Sequence, residues 1–265
     1  MTAENALHIA TLELFILNFR ENFFGPYMLC LDILLITGTV FFFLLPREKR
    51  KNHSYLLPFL ILVLVLCYEN LGAYTAYFRN SNQWVYQFFG SESTDNYNLW
   101  VWNIFNYQIG NFLFLALIKN WVKDPKRKKI IHYFQIGFVV LSILFQLVGL
   151  QPILDNQTLI YFIGSISVII ACGIFFIDLI TSDYYLELNP LKLPSFWQIT
   201  LILFQHTMMF LTEISFDYIL SISNALLLSL YKISQTLYVL LLIVFVFSIG
   251  EPLFNKKNKV PALNV

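Results

Sequence analysis

Long apolar segments dominate this chain and predict its secondary structure. Seven of them have about the 20 residues that a helix needs to cross a hydrocarbon core about 30 Å thick, and charged residues or Pro and Gly clusters separate them. None alternates between apolar and polar positions as the strands of a membrane barrel do, and a helix is the other structure that satisfies its own backbone hydrogen bonds in lipid. The predicted spans are about 26–45, 55–78, 98–119, 131–150, 158–181, 195–219 and 224–248.

The composition supports this all-α, polytopic interpretation. Hydrophobic residues make up 58% of the 265 residues and charged residues 12%, against about 45–50% and about 25% in soluble domains. The formal net charge is +1, so the chain has no basic field that could hold nucleic acid. Cys30, Cys67 and Cys172 lie inside apolar segments without the spacing of a metal site or a disulfide framework. We therefore expect a protein of the lipid bilayer that has no nucleic-acid partner and no cofactor.

The distribution of positive charge predicts the orientation. In a seven-span arrangement, 14 of the 17 Lys and Arg residues fall in loops 46–54, 119–130 and 182–194 or in the tail that follows the last span. Loops rich in Lys and Arg face the cytoplasm, so we expect the N-terminus outside and the C-terminus inside. Frequent Phe, Tyr, Ile, Asn and Lys are typical of AT-rich bacterial genomes, which favours a multi-pass protein of the bacterial inner membrane.

The chain divides into three predicted parts. Residues 1–25 form an external amphipathic segment, because Ile9, Leu12 and Ile16 recur at helical spacing on one face. Residues 26–250 form the seven-helix transmembrane domain. Residues 251–265 form a short basic cytoplasmic tail, too short to fold as an output domain.

Ionisable and amide side chains share one depth within the predicted spans. Asp32, Glu69, Asn106, Glu213 and Lys232 lie about 9–14 Å below the outer edge at 1.5 Å per residue. An ionisable group at the bilayer centre costs roughly 2.5–3.5 kcal/mol, so each needs a partner or a function. One acid can pair with Lys232, and the other two must be protonated, hydrated or bound to a ligand. This surplus of acids favours a hydrated cavity and a cationic ligand.

Helical spacing places further polar groups beside these residues. On span three, Asn103, Asn106, Tyr107, Gly110 and Asn111 follow the positions i, i+3, i+4, i+7 and i+8, which form one face of an α-helix. Spans six and seven contribute His206 and Gln235. The candidate ligand-binding residues are Asp32, Glu69, Asn103, Asn106, Tyr107, Asn111, His206, Glu213, Lys232 and Gln235. Alternatively, these residues only hold helices together through interhelical hydrogen bonds worth about 0.6 kcal/mol each.

The layout of polar and apolar halves favours a receptor or sensor. The outer halves of four spans carry polar groups, whereas the inner halves of spans three and seven are apolar. A small external ligand would enter from outside, and a helix rearrangement would reach a separate cytoplasmic or membrane protein through loops 46–54 and 119–130. Two alternatives stay open: a small-solute or ion-coupled transporter with acids such as Glu69 near its path, and a scaffold subunit of a membrane protein assembly.

A further alternative comes from a resemblance. Lys232 in the seventh span of an N-out, C-in protein resembles the retinal-attachment lysine of rhodopsins, which implies a Schiff base on this residue and an acidic counter-ion. Microbial rhodopsins have an aspartate four residues earlier, where this chain has Leu228. Asn103, Asn106 and Asn111 replace the acidic pattern of the third helix.

No enzyme motif accompanies these residues. His206 is the one histidine deep within a span, and nothing near it resembles HExxH or a nucleophilic triad. We therefore expect neither catalysis nor a metal site.

Overall fold

The computed structural model describes residues 25–91 and 98–254, and within these ranges the chain is helical and contains no strand. The predicted external segment lies outside the described residues except for Gly25, and so does the predicted tail from residue 255 onward. Residues 251–254, which we assigned to that tail, instead continue the last long helix. The all-α class is confirmed.

Residues 25–91 and 98–254 contain seven long helices, which we number α1 to α7. They are α1 (Pro26–Leu44), α2 (His53–Tyr77), α3 (Leu99–Trp121), α4 (Pro125–Leu147), α5 (Thr158–Thr181), α6 (Pro194–Ile214) and α7 (Asn224–Phe254). Short helices connect them at Arg47–Lys51, Arg79–Asn82, Gln83–Phe88, Asp183–Leu186, Pro190–Lys192 and Phe216–Ile222.

Six of the long helices are long and apolar enough to cross a membrane, and α6 is not among them. Its 21 residues include Gln198, Gln205 and His206, which lower its hydropathy. The continuous span predicted over 195–219 is also wrong in its extent, because the helix ends at Ile214 and a separate short helix follows Ser215. The chain is thus a multi-pass membrane protein with six candidate spans among the described residues, and a seventh span is not confirmed.

The third helix departs from α-helical geometry. Residues Trp102–Gly110 form a π-helix between the α-helical stretches Leu99–Val101 and Asn111–Trp121. A π-helix bonds each residue to the fifth one along instead of the fourth, and such turns are frequent at functional sites. The spacing that placed five polar residues on one face assumed an α-helix, so their contacts decide which of them lie together.

The helices pack around α3 and α7. Helix α3 contacts α2, α4 and α5, whereas α7 contacts α1, α2 and α6. Leu115, Ile118, Val168, Cys172 and Phe245 are fully buried between them. The outward faces are also apolar: in α1, for example, large hydrophobic side chains remain exposed at Ile33, Ile36, Val40 and Phe43. Exposed apolar surface on this scale is typical of contact with lipid.

A buried carboxylate joins α3, α4 and α5 at the end of the bundle that carries the basic loops. Asp178 on α5 is fully buried and accepts hydrogen bonds from the backbone N–H groups of Lys123 (2.7 Å) and Asp124 (3.2 Å). It also forms an ion pair with Arg127 at 3.0 Å. The Arg127 guanidinium donates a second hydrogen bond, to Thr181 Oγ1 at 2.6 Å. The turn between α3 and α4 is therefore fixed to the end of α5, and we call these contacts the Asp178 clamp.

Candidate functional site

A small cavity lies between α3, α5, α6 and α7, and its volume is about 20 Å³. That volume accommodates about one water molecule. Eight of the ten residues that line it carry polar groups, namely Asn106, Tyr107, Asn111, Tyr161, Ser165, Gln205, His206 and Tyr238. The π-helix supplies the first two, and Asn111 begins the α-helical stretch that follows it.

His206 forms the inner wall of this cavity. Its Nε2 lies 3.3 Å from Asn111 Oδ1, and its Nδ1 lies 3.0 Å from the carbonyl oxygen of Ile202. Both neighbours are acceptors, because the Asn111 amide nitrogen already donates to the carbonyl oxygen of Tyr107 at 2.7 Å. A neutral imidazole has one N–H and can donate to one of the two oxygens. The edge of the Phe114 ring packs against the imidazole, with centroids 4.8 Å apart.

Two hydroxyl groups of α5 lie at the cavity and have no hydrogen-bond partner among the described residues other than each other. They belong to Tyr161, which is 6% exposed, and Ser165, which is 1% exposed. The two residues are four apart, so they lie on the same face of α5. Buried polar groups in proteins are nearly always hydrogen-bonded. This pair is therefore the feature of the cavity that most directly indicates a ligand or bound water.

None of the three predicted acids lines the cavity. Asp32 on α1 accepts a hydrogen bond from Asn70 on α2 at 3.4 Å, and Glu69 on α2 accepts one from Tyr27 on α1 at 3.2 Å. Glu213 on α6 accepts one from Tyr231 on α7 at 3.3 Å. Each acid thus has a neutral hydrogen-bond donor on a neighbouring helix.

Two tyrosine hydroxyls meet at the edge of the cavity lining. The Tyr238 hydroxyl lies 2.6 Å from that of Tyr68 on α2. Tyr68 is 2% exposed, so this contact joins α7 to α2 inside the bundle.

Lys232 and Gln235 occupy a different face of α7. Both side chains are exposed, because Ser234, Tyr238 and Leu241 form the buried stripe of this helix. Lys232 forms no ion pair with any acid whose side chain the structure describes. Among the described residues, the ion pair is the one between Arg127 and Asp178. The prediction that Lys232 pairs with one of the acids within a shared pocket is wrong for these residues.

Asn103 also lies away from the cavity. Its amide nitrogen donates to the carbonyl oxygens of Ile153 (2.8 Å) and Asp155 (2.7 Å), in the connection between α4 and α5. Asn111, by contrast, contacts His206 on α6. Its contacts identify it as a residue that fixes the connection.

The structure thus brings together four of the ten candidate residues. They are Asn106, Tyr107, Asn111 and His206, all of which line the cavity. The sequence argument missed four further polar lining residues, namely Tyr161, Ser165, Gln205 and Tyr238. The spacing of Tyr161 and Ser165, four apart in an apolar span, was the signal that could have revealed this face of α5. In the part of the chain that the structure describes, no three His, Cys, Asp or Glu side chains converge as metal ligands.

Comparisons of this chain with models of protein families, with curated proteins and with solved structures gave no match. The functional argument therefore depends on the geometry of the cavity and its surroundings.

Proposed function

We propose that this protein is a membrane-embedded receptor or sensor that binds a small polar ligand in the cavity between α3, α5, α6 and α7. The observation that carries the proposal is the pair of buried hydroxyls of Tyr161 and Ser165, which have no hydrogen-bond partner among the described residues outside the pair. A ligand with hydrogen-bonding groups would satisfy both, and the buried hydroxyls would favour it over an apolar molecule of the same size.

The lining fits an uncharged ligand better than a cation. It offers hydroxyl, amide and imidazole groups, and the three acids that favoured a cation each accept a hydrogen bond from a neighbouring helix. A buried charge without a counter-charge is costly. We therefore propose a small neutral molecule with both donors and acceptors.

The size of the cavity supports a coupling between binding and helix movement. A ligand larger than about one water molecule enters only if the surrounding helices separate. Two of these helices, α3 and α5, meet at the Asp178 clamp next to the basic turn 122–129. Their displacement would reach this turn, where a separate protein could detect it. Such a coupling is what a receptor requires, since a ligand shifts an equilibrium only by binding one state better than another.

The orientation with the basic loops inside belongs to the same proposal. Single cysteines replacing Ser91 and Lys126, in a background without Cys30, Cys67 and Cys172, would report it. In intact cells, an impermeant maleimide should label the cysteine at position 91 and not the one at 126. Labelling at 126 alone would reverse the orientation and with it the direction of signalling.

Ligand binding can be tested by thermal unfolding of the purified protein with small neutral amides and polyols, such as urea, acetamide and glycerol. A compound that binds only the folded state at 100 times its Kd stabilises it by about 2.7 kcal/mol. We expect at least one compound of this class to raise the unfolding temperature of the wild type. Ser165→Phe fills the cavity and should abolish this shift.

The matched control is Ile170→Phe, which introduces the same side chain on the lipid-facing side of α5, where Ile170 is 45% exposed. This variant should keep the shift. A shift that persists in Ser165→Phe but disappears in Glu69→Gln would move the ligand to the interface between α1 and α2. Accumulation of the compound in proteoliposomes would favour the transporter instead.

A further inference from the structure

A second and larger cavity lies between the start of α6 and the end of α7, and its volume is about 370 Å³. Pro194, Trp197, Val244 and Phe247 form its apolar walls. Lys192 and Glu251 also line it. We infer that this groove binds a phospholipid with a zwitterionic phosphoethanolamine headgroup, a proposal that does not depend on the proposed receptor function.

The position of the groove corresponds to the boundary between hydrocarbon and headgroups. Lys192 lies two residues before α6, and Glu251 lies three residues before the end of α7. Trp197, in the first turn of α6, is 46% exposed and donates its indole N–H to the carbonyl oxygen of Leu191 at 2.9 Å. Tryptophan is enriched at the membrane–water interface because its apolar ring can lie in the lipid while its N–H forms a hydrogen bond at the edge.

The two charged residues of the groove complement the two charges of the headgroup. The ammonium of Lys192 can donate to the phosphate, and within the described residues Lys192 has no ion-pair partner. The carboxylate of Glu251 has a contact within the chain, and its two oxygens can accept further hydrogen bonds from the ethanolamine ammonium. A choline headgroup has no N–H to donate, and a glycerol headgroup has no positive charge. The pair therefore favours phosphatidylethanolamine over phosphatidylcholine and phosphatidylglycerol.

The apolar walls provide the second part of the site. Phe247 is 68% exposed, so the groove opens sideways from the bundle towards the bilayer. Its volume falls within the range of about 300–1,000 Å³ that is typical of small-molecule sites. The beginning of an acyl chain would lie against Val244 and Phe247, and the rest of the chain would continue into the bilayer.

Native mass spectrometry can test this inference with the full chain. The probe is an equimolar mixture of phosphatidylethanolamine, phosphatidylglycerol and phosphatidylcholine with identical acyl chains. We expect the wild type to retain phosphatidylethanolamine over each of the others by roughly three- to tenfold, as for one or two exposed charge-assisted contacts. Lys192→Gln and Glu251→Gln should each reduce that preference.

Two further variants make the result specific. Lys128→Gln removes an exposed lysine elsewhere on the basic side and should leave the preference unchanged. Val244→Phe narrows the groove and should lower the retention of phosphatidylethanolamine. Equal retention of the three lipids by the wild type would overturn the inference. A preference for phosphatidylglycerol that only Lys192→Gln removes would also overturn it, in favour of an anionic headgroup.

Discussion

Asp178→Ala should lower the free energy of unfolding by about 3 kcal/mol. Breaking a buried ion pair by removing one partner costs about 3–5 kcal/mol, and the lower value is expected because the Arg127 side chain is 27% exposed and keeps some hydration. The backbone N–H groups of Lys123 and Asp124 lose their acceptor as well. Unfolding by SDS titration of the protein in mixed micelles would measure the loss.

Asp183→Ala is the matched control for this prediction. Asp183 lies five residues further along, is exposed, and has no ion-pair partner among the described side chains. Its removal should change the free energy of unfolding by less than about 0.5 kcal/mol, as for most surface substitutions. Equal effects of the two substitutions would show that the Asp178 clamp does not stabilise the bundle.

Gly164→Ala should destabilise the protein by about 1–3 kcal/mol, the usual cost of adding a methyl group to a well-packed core. Gly164 precedes Ser165 on α5. A Cβ atom at this position would collide with the amide nitrogen of Asn111 and lie 2.9 Å from the ring of Phe138. Asn111 would have to move, which breaks its hydrogen bonds with Tyr107 and His206. Ligand binding should weaken together with stability.

Gly173→Ala, on the same helix, gives the opposite expectation. A Cβ atom at Gly173 has no neighbour within 4 Å. Alanine within a helix is more stable than glycine by roughly 0.5–1 kcal/mol, so this variant should be as stable as the wild type or more stable. If both variants lost the same stability in SDS titration, close packing at Gly164 could not be the cause.

The sequence predicted the helices well because their signal is long and apolar. Six predicted spans correspond to six helices that can cross a membrane, and the largest differences lie at their ends. The fourth helix, for example, begins at Pro125 and not at 131, because the Asp124 side chain caps it by accepting a hydrogen bond from Arg127 N. Hydropathy does not mark this helix start, because the first turn consists mainly of basic residues and the cap is a hydrogen bond.

The sequence predicted how deep the candidate residues lie in the membrane, but not which way their side chains face. Lys232 shares a depth with Glu69 and Glu213, yet α7 turns its side chain to the outside. Depth follows from counting residues, whereas direction depends on which face of each helix is buried. The spacing also grouped Asn103 with Asn111, and the structure shows that the Asn103 amide contacts the connection between α4 and α5.

The lining of the cavity was also only partly visible in the sequence. Ionisable groups stand out in an apolar span because burying them is costly. Hydroxyl groups such as those of Tyr161 and Ser165 are common in such spans, and many of them are satisfied by the carbonyl oxygen four residues earlier, as Ser167 is by Ile163. Only the packed structure shows that Tyr161 and Ser165 have no such partner.

The most direct test of the receptor account measures whether filling the cavity moves the basic loops. Spin labels on cysteines replacing Lys51 and Lys128, both exposed, would report the distance between the first two of these loops. Ser165→Phe introduces a ring that a cavity of about 20 Å³ cannot hold without helix displacement. Pulsed electron paramagnetic resonance should then show a distance distribution shifted by about 1–2 Å or more, the scale of interhelical shifts in switching proteins, whereas Ile170→Phe should leave it unchanged. A folded Ser165→Phe protein with the same distribution as Ile170→Phe would contradict the coupling.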